Sequence, residues 1–499
     1  MVSFAAVLLP VATLASAQGW LSAVKREGAS SGVARREGTP AKGDASVSTG
    51  GVFHIPIQAT IPESETDSTL DANDAIALFA SQNPLLQAAG GSIKAAVAGT
   101  TANVDLYNQF DVAYFVEFSL GTPPQPLRVT ADTGSNQLWA GSAACNQEGR
   151  CNDLNGGFDQ TRSSTFGGTG QRTNITYGKG SVVGQVATET VLFSSVSLPG
   201  SPFVLVDRED STLIKQINTT NNGIMGMALV GGLDPTTVVS KTNAQTNVKT
   251  VIHNLINGGL LAQPMFGMWL ASIGADSISA QGGVLTLGGV DTTKFSGSLQ
   301  YYPVTYDVAN GYYWTLTVSA ASIGSNQLFM SAGPVYAVID SGTSLITVDT
   351  STFTNQILPA LQTGTNGQPT NLQYFSQYKL AVMPCENAAY LPALSVSFAG
   401  GPAVAFSVSG TQLVLKKTVQ GETACVLTIQ PMDVGGLTGA NQNVWILGMA
   451  FMRSRYAVFD FSQNGRVGFA VPAGTSSKSG SMALNVSMFS GLLVLFFIF

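Results

Sequence analysis

Short apolar runs rich in Val and Phe alternate along this chain with clusters of Gly, Ser, Thr and Asn that favour turns. This alternation predicts an all-β fold, and residues 127–131 and 335–339 are two of its clearest strands. Helical segments are sparse, and residues 250–261 and 350–361 are the best candidates. We therefore predict a β-protein with only a few short helices.

Each of those two strands ends at an acidic turn. Residues 132–135 read Asp-Thr-Gly-Ser, and residues 340–344 read Asp-Ser-Gly-Thr-Ser. A second pair of matching segments follows at similar offsets, with Ile-Met-Gly-Met-Ala at 224–228 and Ile-Leu-Gly-Met-Ala at 446–450. This repetition indicates a duplicated lobe, because roughly 360 residues would be large for a single sandwich. The sequence thus predicts two β-lobes with a cleft between them.

A pair of buried carboxyl groups has a chemistry that one carboxyl group lacks. Two acids held close together cannot both ionise easily, so they share one proton, and one can act as base while the other acts as acid. The Gly in each turn permits a tight bend and close backbone approach. A single Asp-Thr-Gly would be weak support, since such an Asp often bonds only its own backbone. Two copies in matched contexts favour a catalytic pair, Asp132 and Asp340.

Further motifs accompany these turns, and together they resemble the pepsin-like, A1-type aspartic proteases over roughly residues 113–471. The shared motifs are Tyr114-Phe115, Gly121-Thr122-Pro123, the two acidic turns, residues 136–139 (Asn-Gln-Leu-Trp), 175–178 (Ile-Thr-Tyr-Gly), 222–226 (Asn-Gly-Ile-Met-Gly), 445–448 (Trp-Ile-Leu-Gly) and 458–460 (Val-Phe-Asp). The resemblance implies a bilobal all-β fold with a central cleft. It also implies an endopeptidase that uses water, two aspartates and no cofactor at acidic pH, of a fungal type that is secreted and anchored.

The resemblance also implies roles for individual residues. Asp132 and Asp340 would activate the water, and Tyr177 would be the tyrosine of a hairpin flap over the substrate, with Trp139 as its buried hydrogen-bond partner. Ordinary sandwich core is the alternative for Tyr177 and Trp139, although the glycines beside Tyr177 favour the flap. The other residues implied to contact substrate or to support the acids are Gly134, Gly178, Lys179, Gly342, Thr343, Thr133, Ser135 and Ser341.

Lys179 follows Tyr177-Gly178 and is therefore expected at the flap tip. A lysine there would repel Lys or Arg at the residue before the scissile bond, because like charges in a partly desolvated cleft are costly. We therefore expect a preference for bulky apolar residues flanking the bond. The alternative is that Lys179 points into solvent and has no effect on specificity.

The two ends of the chain differ in composition from its middle. Residues 1–17 read as a signal peptide that ends in Ala15-Ser16-Ala17. Residues 18–100 read as a propeptide with dibasic pairs, in which Lys42 or Lys94 could bridge the acids; a disordered spacer is the alternative. The lobes are expected at residues 101–290 and 291–473.

The apolar end of the chain, residues 488–499, is too short to span a bilayer as a helix. Residues 474–499 instead resemble a glycosylphosphatidylinositol (GPI) attachment signal, with Ser479, Gly480 or Ser481 as the attachment residue. A tail anchor beginning near Met482 is the alternative. We expect a protein at the cell surface, either on the plasma membrane or in the cell wall.

Four cysteines in an exported protein predict two disulfides, and three pairings are possible. The resemblance selects Cys145 with Cys151 and Cys385 with Cys425. Asn174 and Asn218 begin Asn-x-Thr sequons and are candidate glycosylation sites.

Other function classes are poorly supported. The two histidines, His54 and His253, provide no zinc ligand set and no serine-protease triad, so we expect no metal. A net charge of −6 gives no basic surface for nucleic acid. We expect a monomer whose partners are peptide or protein substrates and its own propeptide. The second hypothesis is a catalytically silent pepsin-fold protein that binds or inhibits at the cell surface.

Overall fold

The computed structural model describes residues 99–473, apart from 110, 112, 152–155, 178–179, 195, 211–221, 230–248, 273, 275–277, 307–311, 330–332, 420–421 and 434–442. The predicted signal peptide, nearly all of the predicted propeptide, and the predicted anchor signal with Ser479, Gly480 and Ser481 lie outside the described residues. The same is true of Gly178, Lys179 and Asn218.

Strands dominate the described chain. In its first half they are β1 (Ala102–Gln109), β2 (Ala113–Leu120), β3 (Gln125–Asp132), β4 (Leu138–Gly141), β5 (Gly167–Tyr177), β6 (Gly180–Phe193), β7 (Val196–Glu209), β8 (Gly223–Gly226), β9 (Met265–Leu270) and β10 (Ile278–Leu287). In its second half they are β11 (Phe295–Pro303), β12 (Thr315–Ile323), β13 (Asn326–Gln327), β14 (Val335–Ile339), β15 (Ile346–Val348), β16 (Gln373–Phe375), β17 (Leu380–Met383), β18 (Leu394–Phe398), β19 (Ala405–Val408), β20 (Val414–Val419), β21 (Glu422–Leu427), β22 (Ile429–Pro431), β23 (Asn443–Leu447), β24 (Tyr456–Asp460) and β25 (Arg466–Pro472).

The helices are short, as the sequence predicts. The α-helices are α1 (Ala143–Gln147), α2 (Val251–Asn257), α3 (Thr350–Thr352), α4 (Leu358–Ala360) and α5 (Met449–Met452). A π-helical turn (Phe353–Ile357) joins α3 to α4, and 3₁₀ helices occupy Gln160–Arg162, Ser376–Tyr378 and Cys385–Tyr390. The all-β prediction is confirmed. None of the helices in the described ranges is long and apolar enough to cross a membrane.

The described strands form three sheets. The largest has 13 strands in the order β11-β25-β24-β9-β10-β1-β2-β3-β8-β4-β7-β6-β5. An 8-stranded sheet contains β12, β14, β23 and β15, and a 4-stranded sheet contains β16, β17, β21 and β20. Strands from both sides of residue 290 meet in the largest sheet, because β24 pairs with β9. The division into lobes at residues 290 and 291 stays a prediction; this position lies between β10 and β11.

The two acidic turns lie in matching β-units. Strand β3 leads into the first turn and pairs in parallel with β8, which pairs antiparallel with β4, the strand that follows the turn. In the second unit, β14 pairs in parallel with β23, and β23 pairs antiparallel with β15. The repeated glycines, Gly226 and Gly448, explain the second repeated motif. A methyl group on Gly226 would collide with the backbone of Gln137, just after the first acidic turn, and one on Gly448 would collide with the backbone of Thr343, within the second.

Two expected helices differ in their bounds from the structure. The predicted helix 250–261 is capped by Thr250, whose hydroxyl accepts from the His253 amide, and it ends at Asn257 before two glycines. The predicted helix 350–361 begins after Asp349, which caps it, and it is interrupted by the π-helical turn before Pro359. Proline has no amide hydrogen to donate, so it disturbs the regular hydrogen-bond ladder.

The predicted cysteine pairing is confirmed. Cys145 bonds to Cys151 and Cys385 bonds to Cys425, with Cα–Cα distances of 5.3 and 4.9 Å. The first disulfide packs in a small buried cluster with Trp139 and the inner side of the β5–β6 hairpin.

Candidate active site

Asp132 is the last residue of β3, and Asp340 directly follows β14. Both carboxyl groups are buried, with 0% and 1% relative exposure. Parallel pairing with β8 and β23 fixes the ends of the two strands, because each registers residue by residue with its partner. The fold thus brings together two acids that lie 208 residues apart in the chain. The residues that follow them, Thr133 and Ser341, are hydrogen-bonded to each other.

Each carboxylate is held by the residues of its own turn. The amide of Gly134 donates to Asp132 Oδ1 and the amide of Gly342 donates to Asp340 Oδ1, both at 2.8 Å. The other carboxylate oxygens accept from hydroxyl groups, Asp132 Oδ2 from Ser135 (2.5 Å) and Asp340 Oδ2 from Thr343 (2.6 Å). Each acid is therefore oriented by the same two kinds of donor, one backbone amide and one side-chain hydroxyl.

A second set of hydrogen bonds joins the two turns to each other. Thr133 Oγ1 donates to the carbonyl of Ile339 (2.8 Å) and accepts from the amide of Ser341 (2.9 Å). Ser341 Oγ donates to the carbonyl of Ala131 (2.6 Å) and accepts from the amide of Thr133 (3.0 Å). All four bonds are buried, so they fix the relative position of the two acids.

The two turn glycines leave room for the opposite acid. A methyl group added to Gly134 would lie 2.6 Å from a carboxylate oxygen of Asp340, and one added to Gly342 would collide with the carboxylate of Asp132. Each acid therefore packs against the backbone of the other acid's turn. Any larger residue at either glycine would push the two carboxyl groups apart.

Burial raises the pKa of both acids above the ordinary aspartate value, because the charged form loses its hydration. The charge of Asp340 raises the pKa of Asp132 further, while the hydrogen bonds from Ser135 and Gly134 oppose the increase. For Asp340, the hydrogen bonds from Thr343 and Gly342 likewise oppose the effect of burial on its pKa. The pair therefore favours holding one proton between them, and that proton belongs to the pair rather than to one residue.

Tyr177 is the last residue of β5 and pairs with Gly180 of β6 in the β5–β6 hairpin. Its side chain is 5% exposed, and its hydroxyl accepts a hydrogen bond from Trp139 Nε1 (2.7 Å). Burial raises the pKa of Tyr177, and the nearby charge of Asp132 raises it further, so the hydroxyl stays protonated. The structure thus brings the hairpin tyrosine, its tryptophan partner and the first acid together.

Sequence reasoning missed two tyrosines near the acids, Tyr312 and Tyr313. Both are buried, and their rings meet edge to face at 4.8 Å. Burial raises the pKa of Tyr313, and the charges of Asp340 and Asp132 raise it further. Burial also raises the pKa of Tyr312, with further contributions from Tyr313, Tyr177 and Asp132. The sequence carries only a run of three aromatic residues here, at positions 312–314, with no spacing that relates it to the acidic turns.

The remaining predicted positions can be placed briefly. Asn174 is exposed on β5. His253 is buried in α2, where its ring contacts Phe461 edge to face at 4.9 Å, far along the chain from any other histidine. In the described part of the chain, no group of three or more His, Cys, Asp or Glu residues is arranged to hold a metal ion.

Comparison with known proteins identifies the family to which the chain belongs. The model of the eukaryotic aspartyl protease family matches residues 113–472. The mouse (Mus musculus) gastricsin is 31% identical over 363 residues, which are 72% of this chain and 81% of that protein. Cathepsin E of Aquarana catesbeiana is 30% identical over 370 residues, 74% of this chain and 82% of that protein.

The fold also has a relative among solved structures. The crystal structure of the aspartic proteinase from Irpex lacteus covers 76% of this chain and 100% of its own, with a TM-score of 0.59 and 22% sequence identity. At that identity the likeness shows the fold alone, and it agrees with the bilobal pepsin-like architecture expected from the sequence. Together with the family match over residues 113–472, these similarities show that the chain belongs to the pepsin-like eukaryotic aspartyl proteases and is an aspartic-type endopeptidase.

Proposed function

We propose that this protein is a secreted endopeptidase that hydrolyses peptide bonds at acidic pH, with a water activated between Asp132 and Asp340. The observation that carries this proposal is the pair of buried carboxyl groups, each held by an amide and a hydroxyl and locked together through Thr133 and Ser341. Its substrates are peptides or proteins.

The chemistry follows from the shared proton. The charged carboxylate removes a proton from water, and the resulting hydroxide attacks the carbonyl carbon of the substrate. The protonated carboxyl group gives its proton to the carbonyl oxygen, which forms a neutral tetrahedral diol. The carboxyl group that took a proton from water then gives it to the amide nitrogen, the C–N bond breaks and the amine leaves. A hydroxyl of the diol gives its proton to the other carboxylate as the carboxylic acid product forms, so the pair again holds a single proton. Activity requires one proton on the pair. It should therefore fall when a higher pH removes that proton and also when a lower pH adds a second one.

Replacement of either acid tests the mechanism. Asp132→Asn and Asp340→Asn keep the side-chain volume but remove the shared-proton arrangement, so each should abolish cleavage of a quenched peptide at acidic pH. Asp105→Asn on β1 is the matched control and should cleave like the wild type. Circular dichroism should show all three variants folded. Substantial turnover by either Asn variant would contradict the assignment.

The silent binding or inhibitory protein is the competing function. The family resemblance implies that proteins of that kind usually lose an acid, the flap tyrosine or a turn glycine. None of these is lost here, since Asp132, Asp340, Tyr177, Gly134 and Gly342 are all present. Cleavage of the quenched peptide that a statine-type inhibitor blocks would rule out the silent alternative.

We also propose that the chain is made as a zymogen, with residues 1–17 as signal peptide and 18–100 as propeptide. The mature protein is a monomer. A lipid attached at Ser479, Gly480 or Ser481 holds it on the cell surface. Deleting residues 482–499 should release active enzyme into the medium, whereas the full chain should stay on membranes until a phospholipase cuts the lipid. Membrane retention of the truncated chain would contradict the anchor.

Lys179 is proposed as a determinant of specificity. Its positive charge at the flap tip would disfavour Lys and Arg before the scissile bond. A peptide library cleaved by the wild type and by Lys179→Asp should show basic residues accepted only by the variant. If the wild type already favours Lys or Arg at that position, this proposal fails.

A further inference from the structure

The flap hairpin has two chemically different faces. Ile175 and Tyr177 on β5, together with Val182 on β6, pack into the buried cluster around Trp139. Asn174 and Thr176 alternate with them and are both exposed. Since successive side chains of a strand point to opposite sides, the outer face of the hairpin is polar and open to solvent.

This outer face carries a complete acceptor sequence for N-glycosylation, Asn174-Ile175-Thr176. The strand geometry places the acceptor amide and the hydroxyl two residues later on the same exposed face. Strand β5 is also the outermost strand of the 13-stranded sheet, where it pairs with β6 alone among the described strands. Both the amide and the hydroxyl are therefore accessible from outside the fold.

The same site lies close to the cleft. Asn174 precedes Tyr177 by three residues of continuous strand, which is about 10 Å at the rise of a β-strand. A bulky group on Asn174 would stand on the side of the flap that faces away from Trp139. In the proposed protease, where Tyr177 covers the bound peptide, a folded protein whose loop entered the cleft would bring its bulk against that side of the hairpin, whereas a short extended peptide would not.

We propose that Asn174 carries an N-linked glycan that limits this protease to short or unfolded peptide segments and excludes folded proteins. In the modification, the Asn174 side-chain nitrogen forms a bond to the anomeric carbon of an oligosaccharide carried on a lipid pyrophosphate. The bond from that carbon to the pyrophosphate oxygen breaks, the lipid pyrophosphate leaves, and the amide proton passes to a base. The restriction on substrates rests on the proposed protease function, but the modification itself does not.

The test uses the full chain secreted from a eukaryotic host. Asn174→Gln and Thr176→Ala each remove the acceptor sequence through a different residue, and Thr176→Ser keeps it and serves as the matched control. Peptide mass mapping before and after endoglycosidase treatment reports whether Asn174 is modified. Values of kcat/KM are then compared for a short quenched peptide and for one protein substrate in its folded and its reduced, unfolded forms.

We expect the glycan on the wild type and on Thr176→Ser alone. Removing the glycan by mutation, or by treating the wild type with endoglycosidase, should raise kcat/KM for the folded substrate by about fivefold or more. It should leave kcat/KM for the short peptide within about twofold. Unmodified Asn174 in the secreted wild type, or equal changes in kcat/KM for the folded protein and the short peptide, would overturn the inference. A wild type that is glycosylated but cleaves no peptide would instead contradict the proposed function.

Discussion

The four hydrogen bonds of Thr133 and Ser341 that join the two acidic turns, called the interlock below, allow a sharp test of how the site is held. Thr133→Val removes a hydroxyl but nearly keeps the shape of the side chain, and it takes away the hydrogen-bond partners of the Ser341 amide and the Ile339 carbonyl. A buried polar group left without a partner costs about 1–3 kcal/mol, so two such groups predict a loss of about 2–6 kcal/mol in the free energy of unfolding. That is a large fraction of the stability of an ordinary domain.

Ser341→Ala should have a similar cost, because it removes the partners of the Thr133 amide and the Ala131 carbonyl. The double variant should cost less than the sum of the two single variants. Once one half of the interlock is gone, the turns can separate and water can reach the remaining groups. Contacting residues commonly show coupling of about 0.5–3 kcal/mol, and we expect a value in that range.

Urea unfolding followed by tryptophan fluorescence measures these costs, and peptide cleavage by the folded variants measures the effect on the acids. We expect kcat to fall by up to about a hundredfold, since displacement of a catalytic group by about 1 Å has such an effect. Thr292→Val, at an exposed position, is the control and should change stability by less than about 0.5 kcal/mol. If Thr133→Val matched this control in stability and in kcat, the interlock would not hold the site.

Three further outcomes are expected. Burial lowers the pKa of His253 from 6.5 to about 4, so the unfolded chain binds more protons than the folded chain between those pH values. The free energy of unfolding should therefore fall on the order of 3 kcal/mol as the pH falls through this range, and His253→Gln should flatten the pH dependence of the urea midpoint. Trp139→Phe leaves the Tyr177 hydroxyl without its donor and should lower kcat/KM by about tenfold, and an unchanged value would refute the flap contact. Replacing both cysteines of the 145–151 disulfide by serine should cost about 2 kcal/mol, against about 4 kcal/mol for the longer 385–425 loop. Only the first replacement should impair peptide cleavage, because that disulfide packs beside Trp139; equal losses of activity would contradict this contact.

The sequence predicts best what is encoded locally and repeated. The strands before the acids are predictable because apolar runs end at Asp132 and Asp340, and the structure extends the first run only slightly, to Gln125–Asp132. The helix near residue 250 is predictable in its start but not in its end. Leu260 and Leu261 continue the apolar pattern beyond the two glycines, whereas the backbone does not remain helical there.

Tyr312 and Tyr313 could not be assigned to the site in the same way. Their position depends on how the chain before β12 returns to the acids, which is a property of long-range packing and not of local pattern. Supporting roles for Thr133 and Ser341 were expected only through family resemblance, since nothing in their spacing shows which backbone groups they reach. Sequence reasoning therefore found the reacting groups more readily than their surroundings.

The pairing of β24 with β9 has a consequence for biosynthesis. Tyr456 registers with Trp269, so this part of the largest sheet closes only after almost the whole folded region has left the ribosome. Contacts between residues so distant in sequence form late and slowly, because a long loop must be closed before they contribute. Until then the edge of β9 that β24 will occupy is available to other strands, including those of neighbouring nascent chains. The cell must therefore protect a nearly finished chain for longer than the early strands alone would require.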